Sequence, residues 1–308
     1  TDVTIIEIGG TVGDIESIPF LEAARQMIHE HGRRNALSVH LTLVPEVSGG
    51  ELKTKPTQHS VKEMMEIGIQ PDILLCRSPR PLDDELRRKI SSFTNVEFEA
   101  VVSAYDIKST IYEIPLIYQQ QKLDAIVLQK LDLPPGESDM DAWRRIVKTF
   151  TETEKKVRIA VVGKYIDLGD SYKSVDEALY HGGFANEARV ELVKIDSEKL
   201  EKESDLASVF DGVDGILVPG GFGQRGILGM VTAARWAREH GIPCFGICLG
   251  LQIMVIEFAR NVLLLEDADS TEFAPSCGSP VVVLLEEQID VKNYGGTMRL
   301  GRDRKSVV

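Results

Sequence analysis

Few cysteines and a shortage of basic residues limit what this chain can be. The four cysteines are widely spaced, and none forms a C-x-x-C pair with the spacing of metal ligands. This argues against a disulfide scaffold or a zinc site and indicates free thiols in a reducing, cytoplasmic compartment. Lysine and arginine number 35 against 48 acidic residues, a net charge of −13. Nucleic acid is therefore not an expected partner, because binding to a duplex needs a basic face.

Membrane signals are also lacking. No basic segment followed by a short apolar stretch is visible at the N-terminus, so no signal peptide is expected. Residues 241–259 are nearly uncharged and long enough to suggest a membrane span. Pro243, Glu257 and the glycines of this stretch instead divide it into a strand, a turn and a helix. We therefore expect no membrane partner.

Strands and helices alternate along most of the sequence. This alternation predicts an α/β fold with two parallel-sheet domains, and 308 residues with 43% hydrophobic content are enough for two cores. A Pro- and Gly-containing loop and a charged helix interrupt the pattern at residues 131–156, which we interpret as a linker between domains at 1–130 and 157–308. In the first domain we expect strands at residues 3–8, 39–44 and 72–76 and helices at 19–31, 60–68 and 83–92. In the second we expect strands at 157–162, 190–195, 215–218 and 243–247 and helices at 174–182, 197–210, 227–240 and 249–259.

The strongest motif is a cysteine between two glycines, at the junction of a strand and a helix. It reads Gly246-Ile247-Cys248-Leu249-Gly250 and is the thiol form of a nucleophile elbow, in which a sharp turn lifts one side chain above the sheet edge. A free cysteine on its own is more often inert and buried. The helix that follows favours the thiolate, and the glycine loop Pro219-Gly220-Gly221-Phe222-Gly223 lies about thirty residues upstream. Together these features predict acyl transfer through a thioester, with an oxyanion hole of backbone N–H groups.

The two glycine motifs resemble those of the class I glutamine amidotransferase family, and the resemblance covers residues 157–308. It implies that Cys248 attacks the side-chain amide of L-glutamine. It also implies that the N–H groups of Gly221 and Leu249 form the oxyanion hole. The residues that hold glutamine would be Phe222, Gln252 and Glu272; an ordinary surface carboxylate is the alternative interpretation of Glu272.

Two segments of the first half suggest a nucleotide site. Residues 7–17 combine the carboxylates Glu7, Asp14 and Glu16 with glycines that allow a ligand to approach the backbone closely. A buried carboxylate such as Glu7 needs a partner or a metal ion. Residues 53–60 place two lysines and three hydroxyl groups in a loop ahead of a helix, which suits a polyphosphate. An exposed basic loop that binds nothing is an equally good interpretation of the composition.

Taken in order along the chain, the segments at 7–17, 53–60, 70–74, 163–165 and 295–301 and the two glycine motifs resemble the CTP synthase family over almost the whole sequence. The resemblance implies an ATP-dependent ligase that aminates UTP to CTP with ammonia released from glutamine at Cys248. It implies Glu7 as a Mg²⁺ ligand, and a homotetramer when the protein is full length. The residues implied for UTP and CTP are Asp14, Ile15, Glu16, Lys53, Thr54, Lys55, Pro56, Thr57, Gln58 and Lys89.

Two departures from that family matter for activity. No G-x-x-x-x-G-K-[ST] segment is present to hold the ATP phosphates, and all six histidines precede Cys248, so no base follows the nucleophile. We therefore expect an incomplete synthetase domain and an incomplete amidotransferase domain that turns over glutamine poorly by itself. One alternative is a non-catalytic nucleotide-binding protein of regulation or assembly. Another is a stand-alone cysteine hydrolase whose base comes from another chain.

Overall fold

The computed structural model describes residues 3–284. The chain divides into two compact units, the first ending at Thr151 and the second beginning at Glu152. This division falls inside the predicted linker at 131–156. The motif expected at residues 295–301 lies outside the described residues.

The first unit contains a three-stranded parallel sheet in the order β1-β4-β5. Its core includes Ile73, Leu74, Val101 and Val102, which are fully buried in one hydrophobic cluster that also contains residues of the surrounding helices. The strands are β1 (Val39–Leu43), β2 (Glu46–Val47), β3 (Glu51–Leu52), β4 (Ile73–Ser78) and β5 (Val101–Tyr105). The helices are α1 (Ile18–His31), α2 (Lys55–Glu66), α3 (Asp84–Thr94), α4 (Ile114–Gln120), α5 (Leu123–Lys130) and α6 (Asp141–Glu152).

The second unit contains a four-stranded parallel sheet in the order β7-β6-β8-β9. Its strands are β6 (Lys156–Gly163), β7 (Arg189–Asp196), β8 (Gly215–Val218) and β9 (Cys244–Gly246), and a separate parallel pair is formed by β10 (Ala268–Ser270) and β11 (Ser279–Val282). Its helices are α7 (Lys173–Ala185), α8 (Ser197–Leu200), α9 (Leu206–Val209), α10 (Ile227–His240) and α11 (Leu249–Asn261). The predicted α/β class with parallel sheets is confirmed. No helix of residues 3–284 is long and apolar enough to cross a membrane.

The first predicted strand, at residues 3–8, is wrong. This segment is irregular, and the side chain of Ile5 is 92% exposed. A strand needs a neighbour for its backbone N–H and C=O groups, and in the described part of the chain β1 pairs with β4 alone. An apolar run therefore did not suffice to place this segment in the sheet.

Two predicted helices have different bounds in the structure. Helix α2 begins at Lys55 rather than at residue 60, so residues 55–60 are helical and not a loop. Pro56 fits there because N–H groups in the first turn of a helix have no acceptor within the helix, so the missing N–H of proline costs no hydrogen bond. The helix predicted at 197–210 is two short helices, since the carboxylate of Asp205 accepts a hydrogen bond from the N–H of Ser208 and starts α9 as a new helix.

Candidate active site

Cys248 stands on a sharp turn between β9 and α11. Its backbone has φ +54° and ψ −103°, a conformation that a non-glycine residue rarely adopts. It precedes the first helical residue, and its carbonyl oxygen accepts a hydrogen bond from the N–H of Gln252 at 3.2 Å. The side chain is exposed, as a nucleophile above the edge of the sheet requires.

The glycines on either side of Cys248 are required by packing. A Cβ atom at Gly250 would lie 2.0 Å from the carbonyl oxygen of Val218 in β8. A Cβ atom at Gly246 would lie 2.3 Å from the carbonyl carbon of Gly250. Neither position can hold a side chain without moving backbone, so the two glycines allow the helix to start directly against the sheet.

The loop after β8 reaches the same place. A Cβ atom at Gly220 would lie 3.7 Å from the Cβ atom of Cys248, and one at Gly221 would lie 3.2 Å from the Cδ2 atom of Leu249. Leu249 is the first residue of α11, so its N–H group has no acceptor within the helix. The structure thus brings Gly221 against Leu249, the two residues predicted for an oxyanion hole, and places the neighbouring Gly220 beside Cys248.

The residues predicted to hold glutamine lie around this loop. Gln252 is one turn into α11, and Phe222 is half-buried in the loop itself. The carboxylate of Glu272, just after β10, accepts a hydrogen bond from the N–H of Gly223 at 3.3 Å. Glu272 therefore contacts the loop, and the alternative of an ordinary surface carboxylate stays open. Its role toward glutamine stays a prediction.

Two cationic residues at the loop were missed by sequence reasoning. Lys164 is 4% exposed, and its ammonium group donates hydrogen bonds to the carbonyl oxygens of Phe222, at 3.0 Å, and Gly223. Arg225 donates to the carbonyl oxygen of Lys164 at 2.9 Å and pairs with Glu198. Lys164 belongs to the segment at 163–165, which is part of the family pattern. Its burial could not be predicted, because a lysine that follows a strand is ordinarily exposed.

The four thiols differ in their surroundings. Burial raises the pKa of the Cys76 thiol to about 11 and that of the Cys244 thiol to about 11. Both therefore stay protonated at neutral pH and react poorly. Cys277 is half-buried, and Cys248 is the exposed member of the four.

The two histidines of the second unit are engaged with aromatic rings. The ring of His240 stacks on Trp236 with a centroid distance of 3.6 Å, and its Nδ1 atom lies 3.0 Å from the carbonyl oxygen of Trp236. His181 packs against Phe184 with a centroid distance of 6.1 Å. Both contacts are local to a helix.

In the first unit, the predicted pyrimidine-binding residues are on the surface. Asp14, Ile15 and Glu16 are exposed, and the Asp14 carboxylate closes a turn by accepting a hydrogen bond from the N–H of Thr11 at 3.1 Å. A Cβ atom at Gly13 would lie 3.3 Å from Oε2 of Glu63. The segment therefore runs beside the C-terminal half of α2.

The residues at 53–58 divide into two groups. Lys53 pairs with Glu51 at 2.6 Å, and the pKa of Glu51 is lowered first by this hydrogen bond and less by the charge of Lys89. Lys55 and Pro56 are exposed in the first turn of α2. The hydroxyl groups of Thr54 and Thr57 are buried instead: Thr57 donates to the carbonyl oxygen of Leu43 at 2.9 Å, and Thr54 accepts from the Gln58 amide at 3.1 Å.

A magnesium site does not assemble in the part of the chain that the structure describes. Glu7 is exposed in an irregular segment rather than buried at the end of a strand. Across residues 3–284, no three side chains of His, Cys, Asp or Glu come together so as to hold a metal ion. Because Mg²⁺ is commonly held by one or two carboxylates together with substrate phosphates, Glu7 as its ligand stays a prediction from the family pattern.

The parallel sheet, the cysteine elbow and the adjacent glycine loop define the second unit as a glutamine amidotransferase domain of the cysteine type. A family model described as glutamine amidotransferase class-I matches residues 167–308, and one described as CTP synthase N-terminus matches residues 1–133. The chain belongs to the CTP synthase family, as the resemblance in the sequence predicted.

Similar proteins support this assignment along the chain. CTP synthases of Thermococcus kodakarensis and Syntrophus aciditrophicus are each 54% identical over 301 residues, and that of Aquifex aeolicus is 52% identical. Each match covers 97% of this chain and 56% of the relative, so the chain spans little more than half the length of these relatives. The relatives are named as enzymes, so they do not favour the non-catalytic alternative. A solved structure titled Trypanosoma brucei CTPS glutaminase domain with bound acivicin is 43% identical, covers 43% of this chain and 51% of that chain, and has a TM-score of 0.40.

Proposed function

We propose that the protein acts in the amination of UTP to CTP, driven by ATP and supplied with ammonia from L-glutamine. The observation that carries this proposal is the exposed Cys248 on its strained elbow, with the Gly220–Gly221 peptide beside it. Membership of the CTP synthase family gives the substrates. A ligase in nucleotide metabolism with free thiols fits the cytoplasm, and the homotetramer of the full-length protein is part of the same proposal.

At the amidotransferase site, the Cys248 sulfur attacks the side-chain amide carbon of glutamine. The carbonyl oxygen becomes an oxyanion, which the N–H groups of Gly221 and Leu249 stabilise. Collapse of the tetrahedral intermediate releases ammonia and leaves a glutamyl thioester, which water hydrolyses to glutamate. A proton must reach the departing nitrogen, and the sequence has no histidine after Cys248 to deliver it. We propose that this chain by itself turns over glutamine slowly.

In the first unit, we propose that the exposed lysines Lys53, Lys55 and Lys89 contact the triphosphate of the nucleotide. Ammonium groups suit phosphate as flexible point charges. The buried hydroxyl groups of Thr54 and Thr57 hold the start of α2 in place and do not contact phosphate directly. Asp14, Ile15 and Glu16 remain our proposal for the pyrimidine base, because their exposed side chains lie on a turn beside α2.

The test is CTP formation by the protein expressed from its natural gene, measured with UTP and ATP and with either glutamine or ammonium as the nitrogen source. We expect both sources to support synthesis in the wild type. Cys248→Ser should lose glutamine-dependent synthesis by about a thousandfold or more and keep ammonium-dependent synthesis, because only thioester formation needs the thiol. Cys277→Ser is the matched control and should retain both reactions. Loss of neither reaction in Cys248→Ser would refute the proposal.

A further inference from the structure

Lys164 is a buried cation beside the loop of the candidate active site. It follows β6 directly and is 4% exposed, although its side chain carries an ammonium group. Burying a charged group costs free energy unless hydrogen bonds compensate. The hydrogen bonds of this ammonium group go to the carbonyl oxygens of Phe222 and Gly223, in the loop that faces Cys248.

Hydrogen bonds also hold the backbone of Lys164 in place. The hydroxyl oxygen of Tyr172 accepts hydrogen bonds from the N–H groups of Lys164, at 3.1 Å, and Tyr165, at 3.3 Å. The Tyr172 ring reaches this position because residue 163 is glycine, where a Cβ atom would lie 2.5 Å from the Tyr172 hydroxyl. Arg225 holds the carbonyl oxygen of Lys164 from the other side. A long side chain fixed at its base can transmit that rigidity to the groups it binds at its tip.

The hydrogen bonds of Lys164 fix the orientation of the peptide group between Phe222 and Gly223. In a trans peptide the C=O and the following N–H point in opposite directions. The carbonyl of Phe222 points to Lys164, and the N–H of Gly223 accordingly points away, to Glu272. The ammonium group of Lys164 and the carboxylate of Glu272 thus bind opposite edges of one peptide group. The Cδ and Cε atoms of Lys164 also lie 3.6 Å from the position of a Cβ atom at Gly221.

We propose that Lys164 is a positioning residue for the oxyanion hole. It binds the carbonyl oxygens of Phe222 and Gly223. In this way it keeps the N–H of Gly221 directed at the carbonyl oxygen of the substrate that acylates Cys248. Lys164 does not contact the substrate in this role. The proposal rests on the proposed amidotransferase function of Cys248 and assigns a role to a residue outside the two glycine motifs.

The test compares two alkylations of Cys248 in the 308-residue chain. One reagent is a chloroketone analogue of glutamine, whose carbonyl replaces the side-chain amide. The thiolate adds to this carbonyl and forms an oxyanion. The sulfur then displaces chloride at the chloromethyl carbon, while its bond to the carbonyl carbon breaks and the carbonyl re-forms, which leaves a thioether. The other reagent is iodoacetamide, from which the thiolate displaces iodide without any oxyanion. The oxyanion hole should therefore accelerate the first reaction alone.

We expect Lys164→Met to slow alkylation by the chloroketone about 10- to 100-fold, because a small displacement of a catalytic donor is enough for such a loss. Iodoacetamide should react within about twofold of the wild-type rate, as the thiolate itself is unchanged. Lys164→Arg keeps the cationic donors and should restore part of the chloroketone rate. Lys199→Met removes a lysine whose side chain is 79% exposed and should change neither rate.

Equal losses with both reagents, or no loss with either, would overturn the role of Lys164. If Lys164→Met does not fold, Lys164→Gln keeps one amide donor and the same comparison applies to it. A wild-type chloroketone rate that glutamine does not slow would refute the proposed function of Cys248 itself, and the two failures are therefore distinguishable.

Discussion

At the scale of single residues, the candidate site depends on positions where only glycine fits. Gly250 is the clearest case, because its Cα lies against the carbonyl of Val218 with no space for a further carbon atom. The residue acts through backbone geometry, since it sets how closely α11 approaches β8. The strained φ of Cys248 persists because these contacts fix the backbone on the helix side of it.

We predict that Gly250→Ala destabilises the second unit by about 2–4 kcal/mol, because a Cβ atom 2.0 Å from Val218 O forces the backbone to move. Denaturant unfolding of the variant measures this change. Gly182→Ala, in α7, meets no atom within 4 Å and is the matched control. It should be neutral or stabilising by up to about 1 kcal/mol, since alanine favours a helix over glycine. Equal effects of the two substitutions would contradict the packing argument.

At the scale of elements, the helices α10 and α11 are joined by an ion pair whose carboxylate is buried. Glu257 of α11 is 2% exposed and accepts hydrogen bonds from Arg238 of α10, at 2.8 Å to Nη2, and from Asn261 at 3.2 Å. A buried carboxylate that loses its cation remains desolvated and unpaired, which is far more costly than losing a surface pair. The pair therefore fixes α10 relative to the helix that begins at Cys248.

We predict that Arg238→Met lowers the melting temperature of the second unit by several degrees, because Glu257 then lacks its cation. Arg235→Met breaks the neighbouring pair with Glu239, whose side chains are 56% and 40% exposed, and should have almost no effect. Differential scanning calorimetry of the two variants makes the comparison. The account of the helix pair would be wrong if Arg235→Met were the more damaging substitution.

The order of elements in the second unit followed from its sequence as far as α11, because apolar runs, helix periods and glycines agree there, whereas β10 and β11 were not predicted. Strands at 157–162 and 190–195 correspond closely to β6 and β7. Residues 3–8 show the limit of this reasoning, since an apolar run becomes a strand only when a neighbouring strand accepts its hydrogen bonds. Strand β5 was not predicted, because Val101–Tyr105 is short and follows the one-turn helix at Phe98–Ala100.

The candidate site was predictable to a similar extent. The elbow and the glycine loop could be found because their function needs small residues in a fixed local order. Lys164, Arg225 and Tyr172 could not be found in that way, since they meet the loop only through the fold of the parallel sheet. The burial of Thr54 and Thr57 was missed for the same reason, because a hydroxyl group near lysines is equally compatible with a phosphate ligand and with a helix start.

At the scale of the whole molecule, each unit has a cysteine in its sheet, buried in the first unit and half-buried in the second. Cys76 lies in β4 of the first unit and Cys244 in β9 of the second, and burial raises the pKa of each thiol from 9.0 to about 11. In the unfolded chain both thiols ionise near their ordinary pKa. The contribution of these two thiols to the free energy of unfolding is therefore fully present below pH 9. It is lost as the pH rises from 9 towards 11.

We predict that the free energy of unfolding falls by about 1–2 kcal/mol per buried thiol between pH 8.5 and 10.5, with the smaller loss for the less buried Cys244. Urea unfolding across this range measures the loss. Because lysines and tyrosines also titrate, the informative quantity is the difference between the wild type and Cys76→Ala or Cys244→Ala. Each variant is less stable at pH 8 but should lose less stability on going to pH 10.5. Parallel curves for wild type and variants would contradict the prediction.

The central claim is that Cys248 is a nucleophile for the side-chain amide of glutamine. The most direct test treats the chain with the chloroketone analogue of glutamine at neutral pH and locates the label by peptide mass spectrometry. We predict that Cys248 carries the label, that free glutamine slows its formation, and that Cys76 and Cys244 remain unmodified because burial keeps them protonated. Label spread between Cys248 and Cys277, with no protection by glutamine, would contradict the account.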